Sequence, residues 1–110
     1  MIEVNFFSHK GAWRGFTAGG HAGYAEAGQD IVCAAVSALV QSAIGGITEV
    51  VGAEAKAVID PEGKAELRLT ETDEGKCEKA RLLIEVLYRS LLSIEADRRD
   101  FLAVNTIEEN

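Results

Sequence analysis

The sequence predicts an α+β fold: one two-layer domain spanning 1–110, in which a mostly antiparallel sheet packs against two main helices. The order is ββαββα, with room for a short strand at the C-terminus. Three observations predict it. Apolar and polar residues alternate in two pairs of short segments, and a turn sequence joins each pair. Two longer stretches repeat apolar residues every three to four positions. Finally, 110 residues that are 47% hydrophobic have the size and content of a single core.

Each element has its own local reason. Ile2, Val4 and Phe6 alternate with Glu3 and Asn5, the period-two signature of a half-buried strand. His9-Lys10-Gly11 reads as a turn and Ala12–Ala18 as the returning strand. In the second pair, Val51, Ala53, Ala55, Ala57 and Ile59 share one face, and Ala65, Leu67 and Leu69 continue it opposite Glu66 and Arg68. Between them Asp60-Pro61-Glu62-Gly63 turns the chain, with Pro pre-setting φ and Gly accepting a positive one.

The helices differ in character. From about Asp73 to Glu95, Cys77, Ala80, Leu83, Ile84, Leu87, Tyr88, Leu91 and Leu92 form one stripe, with Glu78, Glu85 and Arg89 off it. From Asp30 to Ile44 only Asp30, Cys33, Ser37, Gln41 and Ser42 interrupt an apolar surface. A helix apolar on most sides must be covered on most sides, by the sheet and by either the second helix or a partner subunit. Gly45-Gly46 is the expected stop.

Composition excludes several classes. Net charge is −7, from 18 acidic and 11 basic residues. No Lys/Arg cluster forms the basic face that phosphate neutralisation requires, so direct nucleic-acid binding is not expected. No apolar run approaches the roughly 20 residues of a membrane span, and no basic start precedes an apolar signal core. Two cysteines are too few for a disulfide framework, which points to a reducing, cytoplasmic setting. Residues 1–48 contribute only Lys10, Arg14, Glu3, Glu26 and Asp30, a net −1; the remaining −6 falls in 49–110.

The segment that carries chemistry is Gly19-Gly20-His21-Ala22-Gly23-Tyr24-Ala25-Glu26-Ala27-Gly28-Gln29, ahead of the first helix. Four glycines in eleven residues are costly to order, and loops of this length are often lids or binding loops. Asp30 suits the N-cap. That places Cys33 in the first turn, where the helix dipole and exposed N–H groups favour a thiolate. Asp30, Cys33 and Ser37 share a helix face by their spacing. His21, folding back from the loop, would complete the minimal arrangement for nucleophilic catalysis, a thiol with an imidazole base.

Each piece also has a plainer explanation: Cys33 as core filler, His21 as a surface residue, Asp30 as a cap, Ser37 bonded to a helix carbonyl. A phosphate cradle is disfavoured by the acidic cap and by the absence of a Walker-type Gly-Lys-Ser/Thr. A metal site is disfavoured because His9, His21, Cys33 and Cys77 lack ligand-pair spacing, so no metal or cofactor is expected. Redox sensing by Cys33 lacks an obvious resolving cysteine. Cys77, on the stripe of the second helix, is expected to be packing. Trp13 and Phe16 are expected in the core, whereas Tyr24 can line an apolar substrate pocket.

Gly20-His21-Ala22 followed by Gly28-Gln29-Asp30-Ile31-Val32-Cys33-Ala34-Ala35-Val36-Ser37-Ala38-Leu39 resembles the signature of the bacterial ribosomal-processing cysteine proteases, the Prp family. Arg14-Gly15-Phe16 on the preceding strand, the size and the strand–helix order fit as well; the tail from Ser93 does not add to the match. The resemblance implies Cys33 as nucleophile, His21 as base, and Asp30 and Ser37 in support. It implies a glycine-rich lid (Gly19, Gly20, Gly23, Tyr24 and Gly28), a homodimer, and removal of an N-terminal extension from the precursor of the twenty-seventh large-subunit ribosomal protein. The alternative is a non-enzymatic ribosome-assembly or interaction module with a structural thiol.

Overall fold

The computed structural model describes residues 1–20, 27–61 and 63–110. Their elements are β1 (Ile2–His9), β2 (Ala12–Gly19), α1 (Ala27–Gly45) continued by a π-helical turn over Gly46–Val50, β3 (Ala55–Ile59), β4 (Ala65–Leu69), α2 (Glu74–Asp97) and β5 (Leu102–Glu108). One five-stranded sheet runs in the order β3-β4-β2-β1-β5. All neighbours are antiparallel except β1 and β5, which pair in parallel from Ile2↔Leu102 to Ser8↔Glu108. The α+β class and the element order therefore hold, and the short terminal strand is a full seven-residue edge strand.

The β1–β2 hairpin follows from its turn. Lys10 (φ 50°) and Gly11 (φ 78°) both lie in the left-handed region, as the two-residue turn that matches strand twist requires. Register shifts between Phe7 and Ser8, leaving Arg14 as the extra residue of a bulge. At Gly15 a Cβ would collide with the Leu67 carbonyl of β4, so the close β2–β4 approach depends on glycine. The second turn is held by Asp60, whose carbonyl accepts from Gly63 N–H (3.0 Å) and whose carboxylate accepts from Lys64 N–H (3.2 Å).

Ile2, Val4 and Phe6 of β1, Phe16 of β2 and Leu67 of β4 are fully buried beneath the helices. From α1 the stripe Val32, Val36, Val40 and Ile44 packs onto them, and from α2 Ala80, Ile84, Leu87 and Leu91. Asp73 caps α2, its carboxylate accepting from Lys76 N–H at 3.0 Å. Trp13 stacks with Phe6 and Tyr88, centroids 5.6 and 5.0 Å away, and its indole N–H donates to Glu85 at 2.7 Å. Trp13 and Phe16 are thus core residues, as expected.

Three expectations are corrected. First, Gly45-Gly46 do not stop the helix: Gly45 is itself αR (φ −61°), and the helical path continues to Val51, where the N–H of Val51 bonds to Gly46 O at 2.9 Å. The reason lies in Ile47, which is fully buried. Its burial, roughly 1.5–3 kcal/mol, offsets the roughly 1 kcal/mol that each helical glycine costs. Gly46 also admits Leu83 of α2, whose Cδ1 would stand 3.2 Å from a Cβ there. The chain turns instead at Gly52 (φ 72°). Second, β3 consequently begins at Ala55, not Val51. Third, the continuous helix Asp30–Val50 is long and apolar enough, by length and composition, to cross a membrane. Its inner stripe serves the core, whereas its outer residues Ile31, Ala34 and Ala38 are exposed.

Candidate active site

Position along α1 decides what surrounds each site residue. The inner stripe points to the sheet. One flank, Leu39 and Ala43, faces Leu83 and Leu87 of α2 across a shallow groove. The opposite flank carries Cys33, Ser37 and Gln41, spaced four apart and therefore aligned. Ser37 and Gln41 look toward the β3–β4 hairpin, where with Val36, Val40, Ala18, Ile59, Gly63 and Ala65 they line a small cavity. Cys33, half-buried, sits one turn nearer the start of the helix and packs against the core edge.

The helix begins at Ala27, earlier than the spacing of apolar residues implies. Asp30 is its fourth residue rather than its cap, and Cys33 its seventh, beyond the first turn whose N–H groups lack helical partners. The dipole advantage anticipated for the sulfur is correspondingly weak. Desolvation is the main influence on Cys33 and raises its thiol pKa; the Asp30 carboxylate raises it further, opposed by the Met1 ammonium. The thiol by itself therefore rests protonated, and ionisation falls to a base that reaches it. Asp30 is exposed, an electrostatic neighbour rather than a packed one.

Of the glycines expected in the lid, Gly19 is the last residue of β2, paired with Glu3, and Gly28 lies within α1. Gly20 (φ 90°) follows the strand where a Cβ would strike the Met1 carbonyl, so its glycine is fixed by a close backbone contact. His21, Gly23 and Tyr24 lie outside the described residues. The connection from β2 to α1 is thus shorter than the glycine distribution suggests. Cys77 is buried on α2 and its Sγ–H donates to Glu71 O at 3.2 Å, a packing role as expected; both cysteines are thiols. Gln41, Ile59 and Gly63, which help line the cavity beside the site, were not singled out from sequence. Gln41 had given one signal, as a polar interruption aligned with Cys33 and Ser37.

The described residues thus hold a half-buried thiol on a helix flank of a single-sheet α+β scaffold, and comparison with known proteins supplies the class, a thiol protease. The family model of cysteine protease Prp matches residues 1–103, and the chain belongs to that family; it is a cysteine protease. The ribosomal processing cysteine protease Prp of Bacillus subtilis (strain 168) is 39% identical over 101 residues, covering 90% of each chain. A Streptococcus mutans crystal structure superposes with a TM-score of 0.86 at 26% identity, covering 99% of this chain and 96% of that one. The Prp protease of S. aureus, solved with a covalently linked product peptide, gives 0.83 at 26% identity, with 97% and 100% covered. Membership sets aside the non-enzymatic interaction module.

Proposed function

We propose that this protein removes the N-terminal extension of the precursor of the twenty-seventh protein of the bacterial large ribosomal subunit, with Cys33 as nucleophile and His21 as its base. His21 takes the proton from Cys33 Sγ, and the thiolate attacks the scissile carbonyl to form a tetrahedral intermediate. Collapse of that intermediate breaks the C–N bond, and the leaving amine takes the proton from His21. Water then hydrolyses the thioester. The observation that carries this is the place of Cys33. It is a half-buried thiol on a helix flank, one turn from Asp30 and one from Ser37, which lines a small cavity. Its raised pKa fits an enzyme whose sulfur stays protonated until substrate brings the base to it, which limits reaction with other electrophiles. Asp30 and Ser37 support the site, and the segment containing Gly23 and Tyr24 acts as a lid that closes over the peptide.

The enzyme works as a cytoplasmic homodimer, and residues 1–110 form one protease domain. Support for the dimer comes from α1. Only 28% of its most apolar stretch is buried within one chain, and Ile31 is 72% exposed. A net charge of −7 favours encounter with a basic ribosomal precursor and disfavours direct nucleic-acid contact. Incubation with the extended precursor, read by product mass, tests the function. Cleavage by the parent protein and none by folded Cys33→Ala or His21→Ala is expected; normal cleavage by Cys33→Ala overturns it. Sedimentation tests the dimer, with a monomer overturning it.

A further inference from the structure

The helices cover one face of the sheet and leave the other bare. Phe6, Phe16 and Leu67 point to the core, so their neighbours Phe7, Gly15 and Arg68 point to the bare face. These three stand in one row, Phe7 opposite Gly15 and Gly15 opposite Arg68. The Arg68 guanidinium lies 4.5 Å from the centre of the Phe7 ring, so it crosses over Gly15, where a side chain would stand in its way. Stacking on an aromatic face fixes a side chain that otherwise has many rotamers.

Arg14, the first residue of Arg14-Gly15-Phe16, has no part in the site around Cys33. As the extra residue of the bulge it is re-aimed out of the strand alternation, and it is exposed. With His9, Arg68, Leu69, Glu109 and Asn110 it lines a recess of about 300 Å³. The recess lies where β1 ends and β2 begins, whereas Cys33 lies on the covered side, within reach of the charge on Met1 at the other end of β1. Two arginines and a histidine there face one carboxylate, Glu109. Its Oε1 accepts from Arg68 Nη1 at 2.8 Å, and its carbonyl accepts from the His9 ring at 2.9 Å. The Arg68 hydrogen bond, helped by the charges of Arg68, Arg14 and His9, holds the Glu109 carboxyl below the usual carboxylate range. Among the described residues Arg14 has no hydrogen bond or ion pair, and Arg68 commits only Nη1. Positions 9, 14 and 68 are far apart in sequence, so no basic run announces this cluster in a chain of net charge −7.

We propose that Arg14 and Arg68 clamp a phosphate group, free or carried on a small molecule, and that Glu109 is the internal competitor for the clamp. A carboxylate is planar, and its two oxygens satisfy one guanidinium fork. A phosphate presents three oxygens and a second negative charge, so it engages both forks at once. Binding turns the Glu109 carboxylate out to solvent. The pair it gives up is about a third exposed on each side, and exposed pairs contribute little.

The test uses the full chain, isotope-labelled for amide NMR and titrated with inorganic phosphate at constant ionic strength, sodium chloride making the balance. Saturable shifts are expected at the amides of His9, Arg14, Arg68 and Glu109. Arg14→Gln should weaken binding by roughly tenfold while amides elsewhere keep their positions, which shows the fold intact. Glu109→Gln should tighten binding by roughly threefold, because it removes the competitor. Lys79→Gln, on α2, should leave the affinity unchanged. Ribose 5-phosphate separates the two sources: tighter binding than inorganic phosphate assigns an ester, and equal or weaker binding the free anion. Shifts that never saturate, or that chloride alone reproduces, overturn the clamp. So does parent-like affinity in Arg14→Gln, or weaker binding by Glu109→Gln, which would leave the Arg68–Glu109 pair as a fastening for the end of β5 only.

Discussion

Two cysteines lie near the starts of two helices, and their surroundings divide them. Cys77 is the fourth residue of α2, its backbone N–H bonded to Asp73 O at 2.9 Å. Cys33 is the seventh residue of α1. By distance from a helix N-terminus alone, Cys77 is the better placed to be a thiolate. Yet Cys77 is buried, donates its S–H to the Glu71 carbonyl and lies on the packed stripe of an amphipathic helix. Cys33 stands on a flank of α1, half-buried, one turn from Ser37, which lines a small cavity. The proposed nucleophile is therefore the more accessible thiol, and the thiol nearer a helix N-terminus is the packed one.

The sharpest way to break that contrast is to exchange the losses. Cys33→Ala should reduce precursor cleavage by more than about 10⁴-fold while leaving the urea midpoint nearly unchanged. Cys77→Ala should do the reverse, with turnover within about twofold and a stability loss of roughly 1–3 kcal/mol, because it strips the Glu71 carbonyl of its donor and leaves a gap. Comparable activity losses in the two variants would erase the distinction.

A second contrast is how each helix ends or begins. Ile47→Ala should cost about 2–5 kcal/mol in urea unfolding and lower the helical circular dichroism signal, since Ile47 draws the chain past Gly45 and Gly46. The helix starts sharpen the comparison at smaller scale. Asp73→Ala should cost about 1 kcal/mol through the lost cap, whereas Asp30→Ala, inside α1 and exposed, should cost less than half of that.

The smallest effect concerns charge. Asp30 raises the Cys33 pKa; removing its charge lowers that pKa and enlarges the thiolate fraction at any pH below it. Asp30→Asn should therefore speed iodoacetamide labelling of Cys33 at pH 8, without substrate present, and an unchanged or slower rate contradicts the sign. The same sign governs stability. A thiol pKa raised by folding stabilises the native state below the unfolded value, and that contribution is lost as pH climbs toward the folded one.

Most of the scaffold was legible because its signals are local. Alternation marks β1, the His9-Lys10-Gly11 and Asp60–Gly63 turns mark the hairpins, and the apolar stripe from about Asp73 marks α2. What escaped depended on distant partners. Nothing adjacent to Gly45 and Gly46 reveals that Ile47 finds a buried slot. Nothing around Leu102–Glu108 reveals a parallel partner at Ile2–Ser8. At the site, the alignment of Cys33 with Ser37 was readable from spacing. Gln41 and Ile59 were not assigned there because their meeting is set by how the hairpin sits against α1.

The parallel pairing of β1 with β5 has a consequence for how the molecule comes into being. It joins residues 100 positions apart, and closing a loop that long costs on the order of 4 kcal/mol in chain entropy. Ser8 and Lys10 reinforce the seam through the Glu108 carboxylate at 2.8 and 3.0 Å, but only after both strands exist. During synthesis β1 must therefore wait, its far edge unpaired, until residues 102–108 have been made. Completion of the sheet must follow synthesis of β5, and folding should be slow relative to the size of this domain.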